Sequence, residues 1–470
     1  MTNERRAFNL LILIVSALLV SSCGDTIGAL RKDNKTIKQN YGYIAGRVDE
    51  VDEVDEVDEV DEGSNVFVGL FKKEESSITN VRSMSVGETF VIPVQKAEYE
   101  IIAFRDKSRD FTYQPDKEPA ARLDAKIIWS EDVKLEENGR CVDHGAVVFQ
   151  PIPLTSNPEP KIDKELDFSP EALFKIKKFK DHFLKEVPWD YEKFSAENVE
   201  LGLWERSSFY EDVGYGLYVL KKFDPEKKSI VLVHGISDSP PVFEALAKAL
   251  EKEFPDEYQL LLFHYPSAIS LDYTSYVLSS ALSYLITSYS IPQIDIIAHS
   301  MGGLVSKGMI EESKSNDELR ERMRVFISIA SPYGGHGGAA WGLKTPALFD
   351  MVAPVWCAMA PDSAYLKKIG KLDLRDLSKG PRHHLIYTYS HERDGTREDD
   401  DGVVSVDSQL TKSAKDNATA RYGIADNHVG AVSNPCTFEL VKAILQDGST
   451  VARVPGCGAD DVSPDSAPAD

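Results

Sequence analysis

The decapeptide Ile294-Asp295-Ile296-Ile297-Ala298-His299-Ser300-Met301-Gly302-Gly303 carries a serine at the tip of a turn between an apolar run and a stretch with a helical pattern. Small residues, Ala298 and Gly302, stand two before and two after Ser300, as a turn this tight requires. Such a turn holds the hydroxyl up at the strand end, and the N-terminus of the following helix adds partial positive charge. A serine hydroxyl is a poor nucleophile until an adjacent base takes its proton, so the chemistry calls for a histidine and an acid that orients it. Downstream lie Glu398-Asp399-Asp400-Asp401-Gly402-Val403-Val404-Ser405 and Asp426-Asn427-His428-Val429-Gly430. His299 flanks the serine too closely to act as its base, and His383, His384 and His391 precede the acidic run. Upstream, Ser229 to Val233 runs directly into His234-Gly235-Ile236-Ser237-Asp238-Ser239, where His234 reads as a brace for the loop.

The elements that must position these residues follow from the hydrophobic pattern. Near-continuous apolar runs at Ile230 to Val233, Gln259 to Phe263, Ile294 to Ala298, Val325 to Ala330 and His384 to Tyr389 predict parallel strands buried on both faces. They alternate with helical patterns at Val242 to Glu253, Tyr273 to Ser288, Leu304 to Ser313 and Thr437 to Gln446. This alternation predicts an α/β domain, a mostly parallel sheet with helices on both faces.

Four segments in this order, each at the end of a predicted strand, resemble the α/β-hydrolase superfamily, and within it the bacterial lipase and esterase branch. The resemblance covers about 225 residues, Phe223 to Gln446. It rests on Ala298-His299-Ser300-Met301-Gly302-Gly303, the His234-Gly235 loop, Asp401-Gly402-Val403-Val404 and Asn427-His428. The run Ile329-Ala330-Ser331-Pro332-Tyr333-Gly334-Gly335 is similar to the threonine-proline-x-glycine-glycine turn of such lipases, with Ser331 where threonine is usual. Met359-Ala360-Pro361-Asp362-Ser363 is similar to a segment of their lid region. The resemblance implies Ser300 as nucleophile, Asp401 as orienting acid with Asp399 and Asp400 as alternatives, and His428 as base. It also implies an oxyanion hole built from the backbone amides of Ile236 and Met301. The implied reaction is hydrolysis of a carboxylic ester through an acyl-enzyme, with no cofactor and no metal. Acyl transfer to an alcohol or lipid would use the same residues. A lipid-anchored surface binding protein with an inert hydrolase domain is the reading from another class. Apolar residues between Trp341 and Leu374, among them Leu348, Phe349, Met351, Val352, Val355 and Trp356, suit either a lid over a hydrophobic acyl chain or a cover for the sheet.

The rest of the chain places this domain. Of 470 residues 42% are hydrophobic and 27% charged, enough apolar material for a buried core and more than one domain. The formal charge of −23 disfavours a nucleic-acid partner. Ten of the 76 acidic residues sit in five Val-Asp-Glu triplets, Val48 to Glu62, whose period of three fits neither helix nor strand and reads as a solvated loop. Residues 1–22 carry Arg5 and Arg6, an apolar run from Ala7 to Val20 too short to span a bilayer, and then two serines, the pattern of a secretory signal peptide. Leu19-Val20-Ser21-Ser22-Cys23 resembles a bacterial lipobox, which implies lipidation at Cys23 and a place in the bacterial cell envelope, with Gly24 leaning toward the outer membrane. Residues 23–40 read as a tether and 41–150 as a small β-sandwich that resembles prealbumin-like or carboxypeptidase-regulatory-like modules. Residues 151–222 read as a Pro-rich linker and lead-in with a helical pattern near Pro170 to Lys185, 223–447 as the catalytic domain, and 448–470 as a disordered tail. Cys141, Cys357, Cys436 and Cys457 allow three disulfide connectivities, among which sequence does not choose.

Overall fold

A computed structural model describes residues 41–50, 65–73, 77–84, 86–87, 89–107, 112–115, 117–129, 150–156, 158–162, 166–167, 182–204, 209, 212–314, 316–344, 354–375, 380–390 and 400–447. The signal segment, Cys23, the tether, all but the first Val-Asp-Glu triplet, Asp399, Cys141, Cys457 and the C-terminal tail lie outside them. The chain divides into two compact units, Asn34–Lys180 with Ser279–Ser288, and the remainder.

The first unit is built from β1 (Tyr41–Glu50), β2 (Asn65–Lys72), β3 (Ser77–Met84), β4 (Thr89–Gln95), β5 (Tyr99–Asp106), β6 (Thr112–Tyr113), β7 (Ala120–Asp124), β8 (Ile127–Trp129), β9 (Gln150–Leu154) and β10 (Leu166–Asp167). One sheet runs β4-β1-β8 with β9 also on β1, and another runs β3-β2-β5-β7. Alternate residues of both, Ile44 and Val48, Val66, Val68 and Leu70, Ile101 and Ala103, Ile152 and Leu154, meet in one apolar core. The opposite face of the second sheet is covered as well, through Phe67, Phe104, Tyr113 and Leu166. The structure departs from the sequence reading at residue 150. The Pro-rich stretch taken as linker begins as β9, which pairs in parallel with β1. Pro151 and Pro153 take its exposed positions while Gln150, Ile152 and Leu154 are buried. A strand can hold prolines where their missing N–H groups face no partner. The first Val-Asp-Glu triplet likewise belongs to β1, with Val48 fully buried.

The second unit is an α/β domain around an eight-stranded sheet, in the order β11-β12-β14-β13-β15-β16-β17-β18. Its strands are β11 (Phe183–Glu186), β12 (Gly216–Val219), β13 (Lys228–Val233), β14 (Tyr258–His264), β15 (Ile294–His299), β16 (Met323–Ile329), β17 (Arg382–Tyr389) and β18 (Ala420–Ala425). The six strands β14, β13, β15, β16, β17 and β18 are mutually parallel, while β12 runs antiparallel to β14 and carries β11 in parallel at the edge. The end of the segment read as helical near Lys185 is strand β11. The side chains of Ile230, Leu232, Leu260, Leu262, Ile297 and Val325 pack with the apolar stripes of helices Glu244–Glu253 and Pro435–Asp447. On the other face lie helices Met301–Glu312 and Ala364–Lys371, joined where Tyr365 donates to the Leu304 carbonyl at 2.8 Å. Leu366, Ile369, Leu372 and Leu374 are buried, so this part of the apolar insertion is packed into the domain. Residues 345–353 of that insertion lie outside the described set. Cys357 and Cys436 are each in a disulfide bond. Among the described residues no helix is long and apolar enough to cross a membrane.

Candidate active site

The strand Ile294–His299 is buried at every position and ends in Ser300, whose φ of 53° and ψ of −125° turn the chain sharply into helix Met301–Glu312. Its amide donates to the Ile329 carbonyl of the neighbouring strand at 2.8 Å, and its carbonyl accepts from the Gly303 amide at 3.0 Å, which fixes the turn from both sides. A Cβ on Gly302 would lie 2.5 Å from the His234 carbonyl oxygen and nearer still to that of Val233. Glycine is what lets this helix start close against the end of β13.

The acid segment follows β17. Asp401 is 1% exposed, and its Oδ1 accepts the Val403 amide at 3.0 Å and the Val404 amide at 2.7 Å. Its Oδ2 accepts from the Thr388 hydroxyl and from His428 Nδ1, the latter at 2.8 Å. Burial works to raise the Asp401 carboxyl, but hydrogen bonds from His428, Thr388 and the Val404 amide outweigh it and hold the group below the ordinary carboxylate range. Gln409 locks the arrangement, accepting from the Thr388 amide at 2.8 Å and donating to the Thr388 carbonyl at 3.0 Å. Neither Thr388 nor Gln409 announces itself in the sequence. Asp400, an alternative acid in the sequence reading, instead accepts the Gly402 amide at 2.9 Å.

His428 sits in the turn after β18 and is 6% exposed. Asp401 is an acceptor only, so the imidazole carries its proton on Nδ1 and turns the lone pair of Nε2 to Ser300 Oγ at 2.8 Å. The structure thus brings Ser300, His428 and Asp401 into one hydrogen-bonded line, although they are drawn from the segments that follow three different strands.

The loop after β13 lies against this line. A Cβ on Gly235 would be 3.0 Å from Ser300 Cβ. His234 is fully buried, stacks on Tyr265 at 4.2 Å between centroids, and donates from Nδ1 to the Gly235 carbonyl at 2.9 Å. Burial pushes its imidazole down to about 4, so it is neutral and braces the loop. Tyr265 donates to the His234 carbonyl at 2.6 Å. The amides of Ile236 and Met301 donate to no described residue. Asp238, on the same loop, is pushed up to about 6 by burial. Below, Ser408 ties the acid side to the turn after β16, accepting the Gly334 amide at its carbonyl and donating its hydroxyl to the Gly335 carbonyl at 2.6 Å. Among the described residues no cluster of three or more His, Cys, Asp or Glu side chains is arranged to hold a metal.

Residues 224–396 match the family described as "Putative serine esterase (DUF676)". The lysosomal thioesterase PPT2-B of Xenopus laevis is 25% identical over 114 residues, 24% of this chain. The chain spans 38% of the length of that curated relative. Among solved structures, mature Bacillus licheniformis lipase BlEst2 is 13% identical with a TM-score of 0.36, over 47% of this chain and 93% of that one. An esterase of Pyrococcus furiosus is 16% identical with a TM-score of 0.34, over 47% of this chain and 81% of that one. The matched residues take in β13, the Ser300 turn, β16 and β17, the centre of the α/β-hydrolase fold described above.

Proposed function

We propose that the chain is a serine hydrolase that cleaves carboxylic esters of hydrophobic acyl groups through an acyl-enzyme. The observation that carries the reading is the buried relay from Ser300 Oγ to His428 Nε2 and from His428 Nδ1 to Asp401 Oδ2, each link 2.8 Å. His428 accepts the hydroxyl proton as Ser300 Oγ bonds to the ester carbonyl carbon, and the carbonyl π pair moves onto its oxygen. The amides of Ile236 and Met301 receive that oxyanion. On collapse the C–O bond to the alcohol breaks, and His428 returns the proton to the departing alkoxide. Water then gives a proton to His428 as it attacks the acyl carbon, and on collapse the bond from that carbon to Ser300 Oγ breaks, the carboxylic acid leaves and His428 returns the proton to Ser300 Oγ. Asp401 remains ionised throughout, holds the imidazole tautomer and stabilises the transient imidazolium.

Apolar side chains at the rim suit a hydrophobic acyl group. Val86, Tyr289, Val403 and Val429 are the large apolar side chains exposed among the described residues, and two of them flank the acid and the base, at 44% and 56% exposure. Fluorophosphonate labelling of the purified protein tests the nucleophile: native protein is expected to label and Ser300→Ala not to, and labelling that survives Ser300→Ala overturns the assignment. A series of p-nitrophenyl esters tests the acyl preference, with octanoate expected above acetate and the reverse order counting against a hydrophobic substrate. An acyl thioester in the same series tests the leaving group suggested by the thioesterase relative. The sequence pattern at Leu19 to Cys23 further supports a lipid anchor on the cell envelope, and Cys23→Ser is expected to move the protein from the membrane to the soluble fraction.

A further inference from the structure

His299 precedes the nucleophile, is 2% exposed, and takes no part in the proton relay. Its Nε2 lies 3.0 Å from the backbone carbonyl oxygen of His428. A carbonyl only accepts, so His299 carries its proton on Nε2. The backbone amide of His428 in turn donates to the Asp401 carbonyl at 3.0 Å. The main chain of His428 is therefore held on both sides by the segments that present its two side-chain partners, through its N–H to Asp401 and through its C=O to the neighbour of Ser300. The rings of His299 and His428 lie 4.9 Å apart, so the same side chain also walls the imidazole.

We infer that His299 is a positioning residue that registers the imidazole of His428 against Ser300 by clamping the His428 main chain to the nucleophile strand. The inference rests on the hydrolase reading above. Main-chain placement is the effective place to set this distance, because β18 lies three strands away from β15 and no direct ladder bond joins them. Burial pushes the His299 imidazole down to about 3, which keeps it neutral and keeps a second positive charge away from His428 during the reaction. The clamp acts at the proton-transfer step and leaves substrate contacts alone, so its loss is read in kcat more than in KM.

Two variants separate the N–H from the ring. In Gln the amide nitrogen stands three bonds from Cβ, as Nε2 does in His, so His299→Gln keeps a donor at the carbonyl. His299→Phe keeps a ring against His428 and removes the donor. With a p-nitrophenyl ester and with the rate of fluorophosphonate labelling, His299→Phe is expected to lose roughly ten- to a hundredfold in kcat and in labelling rate, with KM within about threefold of native. His299→Gln is expected to recover most of that loss. Thermal melting of each variant establishes that it is folded. Native-like rates in folded His299→Phe overturn the inference, and so does an equal loss in both variants, which would show that a donor at this position does not restore the rate. A folded His299→Phe whose KM rises while kcat stays native also overturns it. Native protein that fails to label, or that labels equally as Ser300→Ala, overturns the hydrolase reading instead, and this role with it.

Discussion

Gly302→Ala tests whether the close approach of the nucleophile helix to the loop after β13 builds the oxyanion site. The added methyl would stand 2.5 Å from the His234 carbonyl oxygen and closer to that of Val233. Carbon and oxygen settle at about 3.3–3.6 Å, so the helix start and the loop must separate by about 1 Å. Both obstacles are backbone atoms, and no side-chain rotation relieves them. That separation moves the Met301 amide away from the Ile236 amide, and removing one oxyanion donor costs about 10²–10³ in rate. Overpacking of this kind costs about 1–3 kcal/mol of stability. The variant is therefore expected to retain the fold with a lowered melting temperature and to lose at least about a hundredfold in kcat. The control is Gly337→Ala, at an exposed helix start where an added Cβ meets nothing within 4 Å, and it is expected to keep native kcat. Ester turnover is followed alongside circular dichroism. A Gly302→Ala protein with kcat within threefold of native would show that the two amides do not depend on this contact, and the oxyanion argument would fall.

Asp401→Asn is expected to lower kcat by about 10³–10⁴ with a smaller change in KM, because the amide no longer enforces the His428 tautomer; a loss below tenfold in steady-state assays would refute the assigned acid. Lys307 is 1% exposed, with its ammonium 5.6 Å from the centroid of the Tyr333 ring, and burial pushes it down to about 8. Between pH 8 and about 10.4 the unfolded chain binds the extra proton, so stability from this group rises with pH across that window and is depressed below it. Lys307→Met should therefore be more stable than native by about 1–3 kcal/mol at pH 7, with an advantage that shrinks by pH 10, and urea melts showing a pH-independent difference would refute this. Arg324 holds the fully buried Asp295 carboxylate at 2.8 Å. Arg324→Met leaves that charge unpaired and should cost about 3 kcal/mol in urea melts, with kcat per folded molecule unchanged; native stability would count against a paired carboxylate at Asp295.

The parallel strands were legible because they are buried on both faces and so read as continuous apolar runs; β13 to β17 fall within two residues of the predicted spans. β18 was not legible, since an edge strand carrying Arg421 and Gly423 breaks the apolar run that marks the others. β9 was hidden by its prolines, which signal a turn in isolation and are tolerated only because of how β1 lies beside them. β3 and β7, read in sequence as SITNVRSM and AARLD, are too polar to separate from loops without their partners. At the site, the residues singled out by motif meet in space, while those that hold them were missed. Thr388 and Gln409 reach the Asp401 carboxylate only once the acid loop is folded, and no spacing in the sequence brings the three together. His299 stands too near Ser300 in sequence to serve as its base, and nothing in the spacing foretells its bond to a carbonyl 129 residues further along the chain.

The backbone at Ser300, with φ of 53° and ψ of −125°, lies where glycine moves freely and where any other residue sacrifices about 1–3 kcal/mol. Ser300→Gly should consequently give an inert protein that is sturdier than the native one. The same strain is what presents the Ser300 hydroxyl to His428, so under the proposed function the corner that weakens the fold is the corner that aims the nucleophile.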